Sequence, residues 1–342
     1  MEQAEYGQHP RCSYRALPAL ALASQCADAN ELTEEAISNC EMPVEHPAVH
    51  LLQTSYPITS IPIPEKDPTF WMDERVVRFL HVLGARTRKQ EIVNVLLVGR
   101  AGTGKSSLPR EFAAMNQRPF FTMHCQLVTE PGDWWGNREM SPQRGTYFRK
   151  AALVDALETP GCVILLDEAN RTHPENLNAL FGLMDHRRRV WIPNLNREVE
   201  VAPGVVFFVT LNEGLDYMGT NPVDRALRDR LSNTLRLEYL PKRVEAELLA
   251  QRTGVSRDIA HKLAEFAHTV RNNPKLGIVV STRQLLECSA LVREGLPMAD
   301  AVMFAIVNGA MEDMDRKALL QSLQMAGAAG EIHIEQQWDD GE

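Results

Sequence analysis

The sequence predicts a doubly wound α/β domain built on a parallel sheet, followed by a small α-helical domain. Three observations predict it. Short β-branched or aromatic apolar runs alternate with helical stretches between residues 92 and 210, the pattern of strands buried on both faces of a parallel sheet. A glycine-rich loop joins the first such run to a helical stretch. After Pro241 the strand runs stop and amphipathic helical patterns take over.

The first 66 residues carry no clear periodicity. Ala16-Leu-Pro-Ala-Leu-Ala-Leu-Ala23, with Arg11 and Arg15 upstream, has the outline of a signal-peptide core, but it contains a proline and is preceded by Glu2 and Glu5. It reads instead as an apolar helix face. Cys12, Cys26 and Cys40 are evenly spaced between His9 and His46. Zinc sites bring ligands in close pairs, and no such pair occurs here, so these read as free thiols. Tyr56–Glu65 is punctuated by prolines and reads as an extended linker.

From residue 67, Phe70, Trp71, Val76, Val77, Leu80 and Leu83 fit one face of a helix. Ile92–Val98, Phe120–Cys125, Cys162–Leu166 and Val205–Thr210 follow as buried strands. Residues 242–252, 256–271, 281–294 and 298–310 then read as helices, separated by Gly254, Asn272-Asn273-Pro274 and Gly295-Leu296-Pro297. The organisation expected is an unassigned extension (1–66), the α/β domain (67–240), the helical domain (241–330) and an acidic tail (331–342).

Composition narrows the function classes. The chain has 342 residues, 44% hydrophobic and 24% charged, which is globular composition and about two domains in length. Mean hydropathy is −0.25 and no apolar run approaches the ~18 residues of a membrane span. The net charge of −9 disfavours nucleic-acid binding through a generic basic surface. Six cysteines are too sparse for a disulfide scaffold.

The glycine-rich loop, Gly99-Arg100-Ala101-Gly102-Thr103-Gly104-Lys105-Ser106, matches G-x-x-x-x-G-K-[ST], with Ser107 next in line. Glycines let backbone N–H groups curl around phosphates, and the following helix points its positive end at them. Lys105 is expected to reach the β/γ oxygens and Ser106 to ligate Mg²⁺. Pro109, in the first turns of that helix, should distort it locally.

The run ending Leu166-Asp167-Glu168 is an apolar strand closed by two acids. Behind a phosphate loop, Asp167 is expected to hold Mg²⁺ through its water shell and Glu168 to polarise an attacking water. Asn212 ends the next apolar run, where its amide could orient that water. Arg225, Arg228 and Arg230 crowd one short helix. Arg230 first, and Arg228 second, are candidates for a cation presented to a neighbouring subunit's γ-phosphate. Arg283, in Ser281-Thr-Arg283 at the start of a helix, is a candidate for contact with the phosphates of its own subunit.

Together Gly99–Ser106, Leu165–Arg171, Asn212, Asp229-Arg230 and Ser281-Thr-Arg283 resemble an AAA+ ATPase. Leu166-Asp-Glu-Ala-Asn-Arg171, Asn176-Leu-Asn-Ala-Leu180 and Pro131-Gly-Asp-Trp-Trp-Gly136 make the likeness more specific to the MoxR branch, near its CbbQ/NorQ/GvpN-type members. The likeness covers residues 67–310 and departs from the family pattern at Leu231, where phenylalanine is usual. It implies ATP as the nucleotide, a ring that is usually hexameric with ATP between subunits, and a cytoplasmic setting. It also implies two inserts, about Glu130–Lys150 with Trp134, Trp135, Tyr147 and Phe148, and about His186–Val201 with Arg187, Arg188 and Arg189. Aromatics on an exposed insert would suit gripping a polypeptide; alternatively the tryptophans pack the insert's base. The function implied is remodelling of a protein client, often through a von Willebrand factor A-type adaptor. A nucleic-acid motor and a nucleotide-dependent assembly protein are the alternatives.

Overall fold

A computed structural model describes residues 61–141, 145–212, 221, 224–273, 278–310 and 312–326. The apolar run at 16–23, the Cys12/Cys26/Cys40 series, the first part of the proline-rich linker and the acidic tail lie outside the described residues. The described residues fall within one compact unit.

Its centre is a five-stranded parallel sheet. Helix α1 (Glu74–Arg88) leads into β1 (Asn94–Gly99), then α2 (Ser107–Met115) and β2 (Phe120–His124). A hairpin of β3 (Gly136–Ser141) and β4 (Gly145–Lys150) precedes α3 (Ala152–Glu158) and β5 (Val163–Asp167). Two short helices, α4 (Pro174–Asn178) and α5 (Phe181–Met184), lead to a second hairpin, β6 (Arg189–Ile192) and β7 (Arg197–Glu200). Then come β8 (Val206–Asn212), α6 (Arg225–Arg230) and β9 (Asn233–Leu237). The sheet order is β2-β5-β8-β1-β9.

Alternation along the strands explains the two layers. Val95, Leu97, Val163, Leu165, Val206 and Phe208 face α1 and α2, packing on Leu80, Leu83, Leu108 and Phe112. Leu96, Val98, Ile164, Leu166, Phe207 and Val209 point to the opposite layer, packing with Leu153, Leu157, Leu177 and Trp134. Both faces are therefore covered, which is why the central strands read as continuous apolar runs.

The predicted strands appear with ends moved by one or two residues. The edge strand β9 escaped the sequence reading because its residues alternate between half-buried and exposed, so it carries no apolar run. Pro109 does not break α2: it is the helix's third residue, in the first turn, and the helix runs on to Met115. Ile61 of the proline-rich stretch packs on the core, and Phe120 donates its N–H to the Pro62 carbonyl.

Among the described residues after Pro241 the regular elements are helices: α7 (Lys242–Thr253), α8 (Arg257–Arg271), α9 (Thr282–Arg293), α10 (Met298–Ala305) and α11 (Asp313–Met325). They enclose a separate apolar cluster around Leu249, Leu263, Phe266, Leu285 and Leu319. The predicted helix 298–310 ends at Ala305 and finishes as a 3₁₀ turn, and α11 lies beyond the last helix read from the sequence. Among the described residues, no helix is long and apolar enough to cross a membrane.

Candidate functional site

Sheet register assembles the site. Gly99, the last residue of β1, lies beside Asn212, the last of β8, and β5 ends at Asp167 next to His124. The phosphate loop, the acid pair and the asparagine thus meet at the carboxyl edge of the central strands, where a doubly wound sheet opens its crevice.

A cavity of about 300 Å³ occupies that edge, lined by Ala101–Ser107, Asp167, Glu168, Asn212 and Arg283. Gly102 and Gly104 hold φ of +77° and +89°, backbone that favours glycine. A Cβ on Gly102 would also lie 2.8 Å from that of Ser281, so the loop passes directly against the N-cap of α9.

Lys105 is 7% exposed and donates from Nζ to the carbonyls of Gly99 and Arg100, at 2.9 and 2.8 Å. Burial pushes its ammonium down to about 8, while Asp167 and Glu168 pull the other way. The Ser106 hydroxyl stands 3.0 Å from both carboxylate oxygens of Asp167. A hydroxyl and a carboxylate converging on one point form an all-oxygen donor set that fits Mg²⁺.

Glu168 sits in the left-handed region at φ +54°, a costly conformation for a residue with a Cβ. Its N–H donates to the Thr210 hydroxyl at 2.7 Å, and that hydroxyl donates to Asp167 at 2.6 Å. One Glu168 oxygen accepts from Asn212 Nδ2 and the other faces Arg171 Nε, both at 2.9 Å. Asn212 is held through its backbone by Asn170. The result is a carboxylate on the cavity wall with an amide at one oxygen and a guanidinium at the other.

The sequence reading missed Thr210, Asn170 and the charge role of Arg171, although Asn170 and Arg171 fall inside the quoted acid-pair motif. It also missed the far wall, formed by Thr69, Phe70, Trp71, Leu240, Leu248, Arg252 and Leu286. Arg252 Nη2 pairs with Asp67 and its Nε donates to Thr69 at 2.7 Å. These residues come from segments far apart in the sequence and share no local pattern.

Arg228 and Arg230 lie outside the cavity. Arg230 packs over the Phe181 ring, 4.6 Å from its centroid, and donates to the Ala226 carbonyl; its Nε is buried without a hydrogen-bond partner. Arg228 is exposed.

Both predicted inserts carry a hairpin, and burial decides between the two readings of the tryptophans. Trp134 and Trp135 are buried, and Trp134 Nε1 donates to the Asn176 carbonyl at 2.8 Å; the tryptophans pack the base and do not grip anything outside. Exposed apolar residues on the hairpins are Met140 and Trp191. Arg187 hydrogen-bonds Asp185, holding that carboxyl down at about 2. Arg188 donates to the Leu183 and Val205 carbonyls over the Phe207 ring, and Arg189 pairs with Glu198.

Comparison with known proteins identifies the family. Residues 94–231 match the AAA domain of the dynein-related subfamily, and residues 245–326 match the CbbQ/NirQ/NorQ C-terminal family. BssE of Thauera aromatica, described as a candidate chaperone, is 38% identical over 247 residues, covering 72% of this chain and 85% of that protein. The uncharacterized protein SSP1341 of Staphylococcus saprophyticus is 25% identical, over 68% of this chain and 90% of its own length. Among solved structures, the Holliday junction branch migration motor RuvB of Thermotoga maritima aligns at 17% identity with a TM-score of 0.48, over 77% of this chain and 72% of that one. A phosphate loop at the edge of a five-stranded parallel sheet, two family matches in chain order and the likeness to BssE establish that the chain belongs to the AAA+ ATPases of the MoxR branch, with a CbbQ/NirQ/NorQ-type helical C-terminal region.

Proposed function

We propose that this protein is a ring-forming, Mg²⁺-dependent ATPase that remodels or activates a protein client. The observation that carries the reading is the convergence of Lys105, Ser106, Asp167, Glu168 and Asn212 on one cavity. In this reading the amides of Gly99–Ser107 cradle the phosphates and Lys105 contacts the β/γ oxygens. Mg²⁺, held by Ser106 and through water by Asp167, would neutralise charge on the phosphate oxygens. Glu168 takes the proton of the attacking water while Asn212 orients it. Arg283 contacts the phosphates of its own subunit and Arg230 reaches the neighbour's.

The α/β domain of residues 67–240 carries the loop, and the helical region of residues 241–330 acts as its lid. A hexamer, a cytoplasmic setting and a von Willebrand factor A-type adaptor belong to the same proposal. The chaperone description of BssE supports a protein client. The nucleic-acid reading is weaker, because the hairpin arginines are already engaged: Arg187 and Arg189 with acids, Arg188 with backbone carbonyls. Filter binding with ATP-loaded protein separates the two readings.

Lys105→Ala tests the site. Without the loop's point charge, fluorescent-nucleotide titration should detect no saturable binding. Unchanged affinity would remove the phosphate-loop assignment.

A further inference from the structure

The phosphate loop touches residues beyond β9 at two points, and a network centred on a buried ion pair links them. At the first point, the Tyr239 hydroxyl donates to the Ala101 carbonyl at 2.8 Å. At the second, Gly102 passes against Ser281, the N-cap of α9. Between them stands an ion pair within the helical region. The Arg271 guanidinium lies 3.9 Å from the centroid of the Tyr239 ring. Its two Nη atoms donate to both oxygens of Glu245, at 2.7 and 3.0 Å, and its Nε donates to the Val280 carbonyl at 2.7 Å. Glu245 also accepts from the Thr282 hydroxyl at 2.6 Å. Thr282 is the residue before Arg283, which lines the nucleotide cavity.

The pair is almost wholly buried, with side chains 8% and 1% exposed. Burying two charges is costly, and apolar side chains of similar volume would hold two helices together at least as well. What a bidentate pair adds is orientation. The planar fork fixes Glu245 against Arg271, the stacked ring fixes Arg271 against Tyr239, and Thr282 fixes the start of α9.

We propose that Tyr239, Arg271, Glu245 and Thr282 form a relay that positions Arg283 over the phosphate loop. They are positioning residues for the γ-phosphate, with Tyr239 as the link to the loop itself. The proposal rests on the reading of the cavity as an ATP site and of Arg283 as its phosphate contact.

The experiment measures the affinities of the full-length protein for ADP and for a non-hydrolysable ATP analogue, and takes their ratio. Arg283→Ala should collapse the preference for the analogue. Tyr239→Phe keeps the ring beneath Arg271 and loses only the hydroxyl, so folding is preserved. It should lower the preference by about three- to tenfold, the scale of one hydrogen bond, chiefly by weakening the analogue. The double variant should be no worse than Arg283→Ala alone, because Tyr239 acts through Arg283. Arg271→Lys, which keeps charge but not the fork or the stack, should resemble Tyr239→Phe. A wild-type ratio in Tyr239→Phe, equal losses for both nucleotides, or multiplying effects in the double variant each overturn the relay. Lys105→Ala separates the failures. If it abolishes binding while Tyr239→Phe behaves as wild type, the relay alone falls. If it leaves binding intact, the nucleotide site falls with it.

Discussion

The strand ends at β5 and β8 and the arginine helix α6 are assigned to one reaction, yet they are built differently. Asp167, Glu168 and Asn212 are each fixed by hydrogen bonds from their own chain, through Thr210, Asn170 and Arg171. Arg230 lies over the Phe181 ring, donates from Nη1 to the Ala226 carbonyl at 2.9 Å and stands 3.7 Å from Asp185 through Nη2, while its Nε is buried without a hydrogen-bond partner. Groups that serve their own nucleotide can be placed by sheet register alone. In the proposed reading, Arg230 would have to give up its contacts with Phe181, Ala226 and Asp185 to reach a neighbour's nucleotide.

The largest expected effect breaks that comparison if it fails. Arg230→Ala should bind ATP nearly normally yet lose about 10³–10⁵-fold in turnover, the scale of a trans-acting arginine. In rings mixed with Glu168→Gln, some interfaces pair an intact Glu168 with an intact Arg230, and activity should partly return. No recovery in rings shown to be mixed would make Arg228 the next candidate.

On the fixed side, Glu168→Gln should retain ATP and lose about 10²–10⁴-fold in turnover, because an amide of the same volume cannot take the proton. Phosphate release under saturating ATP measures it, and wild-type turnover would remove Glu168 from the role.

The hairpin aromatics divide in the same way. Trp134→Ala should cost about 3–5 kcal/mol in urea unfolding, for lost packing and a lost acceptor contact. Trp191→Ala, at an exposed site, should stay within about 0.5 kcal/mol. Equal costs would contradict the burial that separates them.

The smallest effect concerns Lys105. Its pKa near 8 in the free site means that bound phosphates, which favour the charged form, draw in a proton when ATP binds near pH 8. Affinity should be flat below about pH 7 and fall as pH rises past 8, by at most about tenfold per unit from this group. Calorimetry in buffers of different ionisation enthalpy should show proton uptake at pH 8 and almost none at pH 6.5. The stability sign is the reverse: between about 8 and 10.5 the unfolded chain holds the proton more tightly, so this group's contribution to stability rises with pH.

The central strands, the phosphate loop and the acid pair were legible in the sequence because each depends on a contiguous pattern. Val95–Val98 and Val163–Leu166 are buried on both faces and so are apolar throughout. The loop's residue types follow from backbone geometry within a few residues. Local signals did not decide at Pro109, which the helix takes into its first turn, or at Trp134 and Trp135, where gripping a client and packing the base stood as alternatives until burial separated them.

Tertiary structure alone decided the rest. Thr210 reaches Glu168 across a strand pairing, Arg252 meets Asp67 and Thr69 from a segment far apart in the sequence, and Tyr239 meets both Ala101 and Arg271. Sequence patterns record which face an element buries, because burial acts on every residue of that face. They do not record which distant side chain fills the space opposite, because a single hydrogen bond or ion pair leaves no periodicity in either partner.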